Sequence, residues 1–163
     1  MQARVRRALL AFGTGTVVLS LAWGARAQAP KGLEGTWKLN AAKSKFSPGP
    51  APKSMTVVYS LEGTDGMKIV VDLEPADGAA QHWEMSPRYA GKEYPVTGSP
   101  AADMISVKAV DDHTGESTFK KDGKVTATNV RKLSADGKTL TITSKGTTAD
   151  GKPRHDVQVF EKS

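Results

Sequence analysis

Residues 55–74 read MTVVYSLEGTDGMKIVVDLE, two alternating segments on either side of a glycine-rich turn. Apolar and polar side chains alternate with a period of two over residues 55–62 and again over residues 67–74, which is typical of strands with one buried face. The Asp-Gly pair between the segments predicts a tight turn, so the two strands form an antiparallel hairpin. A helix would need apolar residues three and four positions apart, and neither segment has that spacing.

The same alternation continues on both sides of this hairpin. It predicts strands at about 33–40, 80–87, 103–110, 116–121, 124–133, 138–146 and 154–161, and a short one around 94–96. Five Asp-Gly pairs punctuate the chain and predict type I′ hairpin turns. Three prolines in residues 48–52 exclude a helix there and indicate an extended crossing segment, with one helical turn at 41–45 as an option before it.

These elements predict an all-β domain built as an antiparallel up-and-down meander. Such a meander closes into a barrel, because closure removes the unpaired edges of the sheet. A β-sandwich would need longer return connections, and only residues 41–53 and 86–102 are long enough to supply them.

The first 27 residues have the pattern of a secretory signal peptide. Four arginines and no acidic residue accompany an apolar stretch from Ala8 to Trp23, and the small residues at 25 and 27 predict cleavage after Ala27. The apolar stretch is shorter than the ~20 residues of a membrane span. We therefore expect a bacterial protein exported to the periplasm or secreted, with no membrane span and a single domain at residues 28–163. The adjacent Arg6 and Arg7 leave the general and twin-arginine export routes both open.

The charge and the composition exclude several classes of function. Removing the four arginines of residues 1–27 from the 23 basic residues leaves 19 against 17 acidic residues, a net charge of +2. So small a charge, spread along the chain, does not form the basic patch that nucleic-acid binding requires. The absence of cysteine excludes disulfides, thiol nucleophiles and iron–sulfur centres.

Both ends of the mature chain resemble those of a known group of barrels. Residues 35–39 (GTWKL), followed by Phe46, resemble the opening strand of the calycins, the group of lipocalins and fatty-acid-binding proteins. Residues 159–162 (VFEK) are similar to the closing strand of the fatty-acid-binding proteins. The resemblance implies a calycin/lipocalin-like barrel of about 8–10 strands. It also implies a small apolar or amphipathic ligand bound inside that barrel.

The whole mature chain also resembles a type of small secreted bacterial domain without an established activity. The resemblance rests on residues 35–40 (GTWKLN), residues 92–98 (KEYPVTG) and residues 134–138 (SADGK) running on to Thr147. One difference from the fatty-acid-binding proteins concerns the ligand. Their closing strand carries an Arg-x-Tyr that holds the ligand carboxylate, whereas the matching positions here are Gln158 and Phe160.

Four residues are candidates for a binding site: Tyr59, Trp83, Arg131 and Phe160. Tyr59 and Trp83 fall on the apolar faces of their strands, where they either fill the core or line a pocket. A regular strand would turn Arg131 inward as an anchor for an anionic ligand. A β-bulge would turn it outward, and we favour that surface position because Val130 then faces the interior. Trp37, near the start of the barrel, is expected to pack across its closed end.

No residue pattern indicates catalysis, a metal or a cofactor. The three histidines are not spaced as metal ligands, the Asp-Gly turns lack the ligand spacing of a calcium loop, and no Gly-x-Ser-x-Gly motif is present. A haem held by one histidine stays open. We expect an exported protein that binds a partly apolar small molecule inside the barrel, with its protein partner unknown. The alternatives are a solid barrel that acts as an interaction module, and a hydrolase or isomerase at the barrel mouth.

Overall fold

The computed structural model describes residues 28–148 and 150–163. It contains ten antiparallel strands, along which side chains point alternately inward and outward. The predicted signal peptide at residues 1–27 lies outside the described residues. A 3-10 helix at Ala41–Lys43 takes the place of the helical turn considered at 41–45. The strands are β1 (Gly35–Leu39), β2 (Ser54–Glu62), β3 (Gly66–Glu74), β4 (Gln81–Met85), β5 (Glu93–Thr97), β6 (Met104–Ala109), β7 (Thr114–Lys121), β8 (Lys124–Leu133), β9 (Thr139–Thr147) and β10 (Pro153–Lys162).

Each strand pairs with the next one in sequence, and β1 pairs with β10 to close the barrel. Residues 45–47 extend this closure beyond the end of β1. Lys45 and Val157 exchange two backbone hydrogen bonds of 2.7 and 2.8 Å, and the amide of His155 donates to the carbonyl of Ser47 at 2.7 Å. The predicted all-β meander closing into a barrel is confirmed. In the described part of the chain, no helix is long and apolar enough to cross a membrane.

A β-bulge between β7 and β8 decides which side chains of β8 face the interior. Phe119 pairs with Ala127, but the next residue of β7 pairs with Val125, so Thr126 is the extra residue. The bulge turns Val125 outward, with 55% of its surface exposed. Arg131 lies beyond the bulge, in regular register, and faces inward. The predicted surface position of Arg131 is therefore wrong, because the bulge lies at the other end of the strand.

The turns differ in detail from the predicted type I′ hairpins. Asp122 and Gly123 both have positive φ, 50° and 76°, and form that turn between β7 and β8. In the hairpin of β2 and β3, Gly63 takes the left-handed conformation at φ 72°, and the loop comprises residues 63–65. The prediction of a two-residue turn at Asp65-Gly66 is wrong, because the three-residue loop places Gly66 in β3.

One end of the barrel is packed shut. The N-terminal segment crosses it, and the indole nitrogen of Trp37 donates to the Leu33 carbonyl at 2.8 Å. Both of these side chains are fully buried, and so are Met67, Leu140 and Phe160. The other end, here called the mouth, is crossed by residues 46–52, the proline-rich segment between β1 and β2. Trp37 packs at the closed end as expected from the sequence.

Candidate functional site

The inner surface of the barrel is apolar on one side and largely polar on the other. Strands β2 to β6 present aliphatic, methionine and aromatic side chains to the interior, because alternate residues of each strand face inward and most of these are apolar. Strands β7 to β10 present mostly polar groups from the same alternation. The apolar side includes Val57, Ile69, Val71, Trp83, Met85 and Ile105; the polar side includes Ser117, Asn129, Arg131, Ser144, Asp156 and Gln158.

Two cavities lie between these sides. The inner cavity has a volume of about 80 Å³, and Tyr59, Val107 and Arg131 are among the residues that line it. The mouth cavity has a volume of about 300 Å³ and lies beneath the proline-rich segment. Met55, Trp83, Asn129 and Gln158 line both cavities, so the two cavities adjoin. Together the two cavities occupy the barrel from the level of Arg131 to the proline-rich segment at the mouth.

Arg131 is the charged group of the inner cavity. The side chain is 8% exposed, and its Nη2 atom donates to the hydroxyl of Tyr89 at 2.7 Å. Its Cζ atom lies 5.7 Å from the ring centroid of Tyr59 and 5.9 Å from that of Tyr89. Two aromatic faces thus stabilise the guanidinium by cation–π contact.

A glycine in the neighbouring strand makes room for this guanidinium. Gly115 pairs with Arg131 in the register of β7 and β8. A Cβ atom at that position would lie 2.5 Å from Nη2 of Arg131. Because real Cβ atoms do not approach so closely, a side chain at residue 115 would displace the charge.

No carboxylate neutralises Arg131 within the part of the chain that the structure describes. The ion pairs found there within 4.0 Å do not include it. The remaining residues, 1–27 and Ala149, contain no acidic side chain at all. Burial raises the pKa of the Tyr59 phenol, and the nearby Arg131 charge opposes that shift. The phenol therefore stays neutral and does not act as the counter-ion at neutral pH.

Comparison with solved structures finds the same barrel in the fluorescent protein UnaG. Its alanine variant matches with a TM-score of 0.54 and 20% identity, over 81% of this chain and 96% of that chain. A glutamine variant matches with a TM-score of 0.51 and 20% identity, over 80% and 95%. The fold is therefore a calycin-like barrel. No protein-family model and no curated protein matches the sequence.

Three of the four residues selected from the sequence line the cavities of this calycin barrel. Tyr59 and Arg131 line the inner cavity, and Trp83 lines both cavities. Phe160 does not lie beside them, since it is fully buried at the closed end, where it pairs with Leu39 and Leu140. The sequence predicted Phe160 beside the pocket, and its position at the closed end corrects that prediction. The role of the other three in binding stays a prediction.

Sequence reasoning missed several residues of the site. Tyr89 lies in the loop between β4 and β5, outside any alternating pattern, and the backbone amide of Tyr89 is held by the Asp65 carbonyl at 2.8 Å. The one signal that could have found it is an aromatic side chain in a loop whose other residues are small, polar or proline. Asn129 and Asp156 lie on inward positions of strands whose register is not readable from the sequence. Among the residues that the structure describes, no group of three or more His, Asp or Glu could hold a metal ion.

Proposed function

We propose that the mature chain is an exported binding protein that holds a small amphipathic anion inside the barrel, with the anionic group on Arg131. The observation that supports this proposal is the buried guanidinium without a carboxylate partner. Taking a charge out of water costs several kcal/mol per ion even after relaxation. Two tyrosines offset part of that cost, and a bound anion would offset the rest through charge-assisted hydrogen bonds.

The opposite side of the cavity indicates the body of the ligand. Val57, Ile69 and Ile105 line the same inner cavity as Arg131 and offer only apolar surface. Burial of an apolar body against them contributes about 25 cal/mol per Å². The volumes of about 80 and 300 Å³ favour a small molecule that fills the inner cavity and extends into the mouth.

The export part of the proposal depends on residues 1–27. Their basic start, apolar stretch and small-residue site support cleavage after Ala27. The intact mass of the protein recovered from the periplasm tests this directly. A mature chain that begins at Gln28 supports export with cleavage, and a full-length chain retained in the cytoplasm contradicts it.

Anion binding is tested with ligands that share a chain and differ in charge. We expect decanoate to bind at least about tenfold more tightly than decanol, because a charge-assisted hydrogen bond contributes about 1.5–3 kcal/mol. Titration followed by tryptophan fluorescence reports the binding, since Trp83 lines both cavities and Trp37 is fully buried at the closed end. Native mass spectrometry of the protein from its own periplasm identifies any molecule it already carries.

Two variants separate the inner charge from the general charge of the surface. Arg131→Met should abolish the preference for decanoate, whereas Lys132→Met, which removes an exposed charge from the same strand, should preserve it. Equal binding of the acid and the alcohol by the wild-type protein would overturn the anion proposal. Equal losses in the two variants would show that surface charge, and not the cavity, attracts the anion.

A further inference from the structure

The register of β8, β9 and β10 arranges the polar side of the cavity in rows. Asn129, Ser144 and Asp156 lie side by side across the three strands. Arg131 belongs to the next row towards the closed end, two residues along β8 from Asn129. At 3.2–3.4 Å per residue, the two rows lie roughly 7 Å apart. The polar groups thus continue from the inner charge to the mouth.

The row beside the mouth contains a buried carboxylate that pairs with a partly exposed arginine. Asp156 is 5% exposed, and one of its carboxylate oxygens accepts a hydrogen bond from the amide of Ser47 at 3.1 Å. The other oxygen lies 3.5 Å from Nε of Arg154, whose Nη2 donates to the Ser144 hydroxyl at 3.3 Å. The charge of Arg154 is therefore matched within the protein, unlike that of Arg131.

Two polar atoms in this region are buried without a hydrogen-bond partner. They are the side-chain oxygen of Asn129 and the Nε atom of Arg154, and both residues line the mouth cavity. Across the part of the chain that the structure describes, only one other side-chain atom, Oδ1 of Asp103, has this status. One of the two atoms at the mouth is an acceptor and the other a donor. A hydroxyl or amide of a ligand offers the kind of partner that each of these atoms lacks.

We propose that the mouth is a second recognition site, and that the ligand carries a hydroxyl or amide group on the same edge as its anionic group. The inference rests on the proposed function, because the anion on Arg131 fixes which way the ligand lies. Its other edge is apolar, since Met55, Leu73 and Trp83 line the same mouth cavity as the row. The predicted ligand class is a two-faced carboxylic acid with a polar and an apolar edge, in contrast to a plain straight-chain fatty acid.

Matched pairs of acids test this inference. The probes are para-hydroxycinnamate with cinnamate, and ω-hydroxyoctanoate with octanoate, so that each pair differs by one hydroxyl. We expect at least one hydroxylated acid to bind about tenfold more tightly than its parent, because it gives two buried atoms the partners they lack. The measured quantity is the ratio of the two dissociation constants, which cancels general losses of affinity.

Variants at the mouth assign the effect to the two atoms. Asn129→Leu removes the acceptor and Asn129→Asp retains one, so the ratio should fall to about one in the first and persist in the second. Arg154→Lys keeps the charge towards Asp156 but removes the Nε–H donor, and it should reduce the ratio. Thr128→Leu, at the exposed neighbouring position of β8, is the matched control and should leave the ratio unchanged.

The outcomes separate this inference from the proposed function. Pairs that bind equally, with affinities that still depend on Arg131, would overturn the mouth site and leave the anion site standing. A preference for hydroxylated acids that survives Asn129→Leu and Arg154→Lys would also overturn it. If none of the four acids binds at all, both proposals fail.

Discussion

The contact between Arg131 and Tyr89 can be tested with a double-mutant cycle. The structure predicts whether each variant gains or loses unfolding free energy. Tyr89→Phe removes the hydroxyl that accepts the 2.7 Å hydrogen bond from Nη2 and keeps the ring that faces the guanidinium. Loss of a hydrogen bond to a charged group costs about 1.5–3 kcal/mol. The cation–π contact, worth about 0.5–2 kcal/mol, stays. We therefore expect this variant to lose about 1.5–3 kcal/mol of unfolding free energy.

Arg131→Met should behave differently, because it removes the buried charge itself. The Tyr89 hydroxyl then lacks a partner, at a cost of about 1–3 kcal/mol. Removal of the guanidinium relieves a desolvation penalty of several kcal/mol. Adding the cost and the gain, we expect the unfolding free energy of ligand-free Arg131→Met to equal or exceed that of the wild type. The double variant with Tyr89→Phe also removes the orphaned hydroxyl, and it should be the most stable of the four by about 1–4 kcal/mol over wild type.

Urea unfolding of the four ligand-free proteins at neutral pH measures these differences, with Lys132→Met as the surface control. The control should stay within about 0.5 kcal/mol of the wild type. A loss of about 3–5 kcal/mol in Arg131→Met, the figure for breaking a buried ion pair, would refute the reasoning. It would mean that the guanidinium has a neutralising partner within the protein and is a structural element of the barrel.

Three further predictions concern the same cavity. Gly115→Ala puts a Cβ atom 2.5 Å from Nη2 of Arg131, so decanoate should bind about tenfold more weakly in the same fluorescence titration, with stability reduced by about 1 kcal/mol. Ser117→Leu fills the inner cavity and should abolish binding of decanoate, while Thr118→Leu on the same strand should not; circular dichroism checks that both barrels fold. Burial raises the pKa of Tyr59, so the stability linked to its proton is complete below about pH 10 and is lost as the pH rises through the raised value. Urea unfolding at increasing alkaline pH should therefore show a steeper loss in the wild type than in Tyr59→Phe.

The fold could be predicted from the sequence because its information is local. Period-two alternation and turn residues marked every strand to within two residues, including the short β5 around Pro95. Closure into a barrel followed from the order of the hairpins. The type of each turn could not be predicted as well from the sequence. The Asp65-Gly66 and Asp122-Gly123 pairs look alike in sequence but lie in loops of different length.

The site could be predicted only in part because it depends on register. Tyr59 and Trp83 were found because alternation places them inside. The orientation of Arg131 depends on where one extra residue sits in β8, and Thr126 carries no sequence signal for the bulge. The row of Asn129, Ser144 and Asp156 comes from three strands distant in sequence, and the alternation of any one strand does not show which residues meet.

The interior is the feature in which the proposed binding barrel and the alternative, a solid interaction module, are expected to differ. A barrel that acts only through its outer surface is most stable with an apolar, closely packed interior, since each buried polar atom without a partner costs about 1–3 kcal/mol. This barrel instead holds an unneutralised guanidinium, an unpartnered amide oxygen and an unpartnered Nε–H in the walls of its two adjoining cavities. A ligand that satisfies these groups would bind the folded chain and not the unfolded one, so it should raise the unfolding free energy by about 2.7 kcal/mol at a hundredfold excess over Kd. In Arg131→Met the same ligand should give little stabilisation, because the polar group it would neutralise is gone.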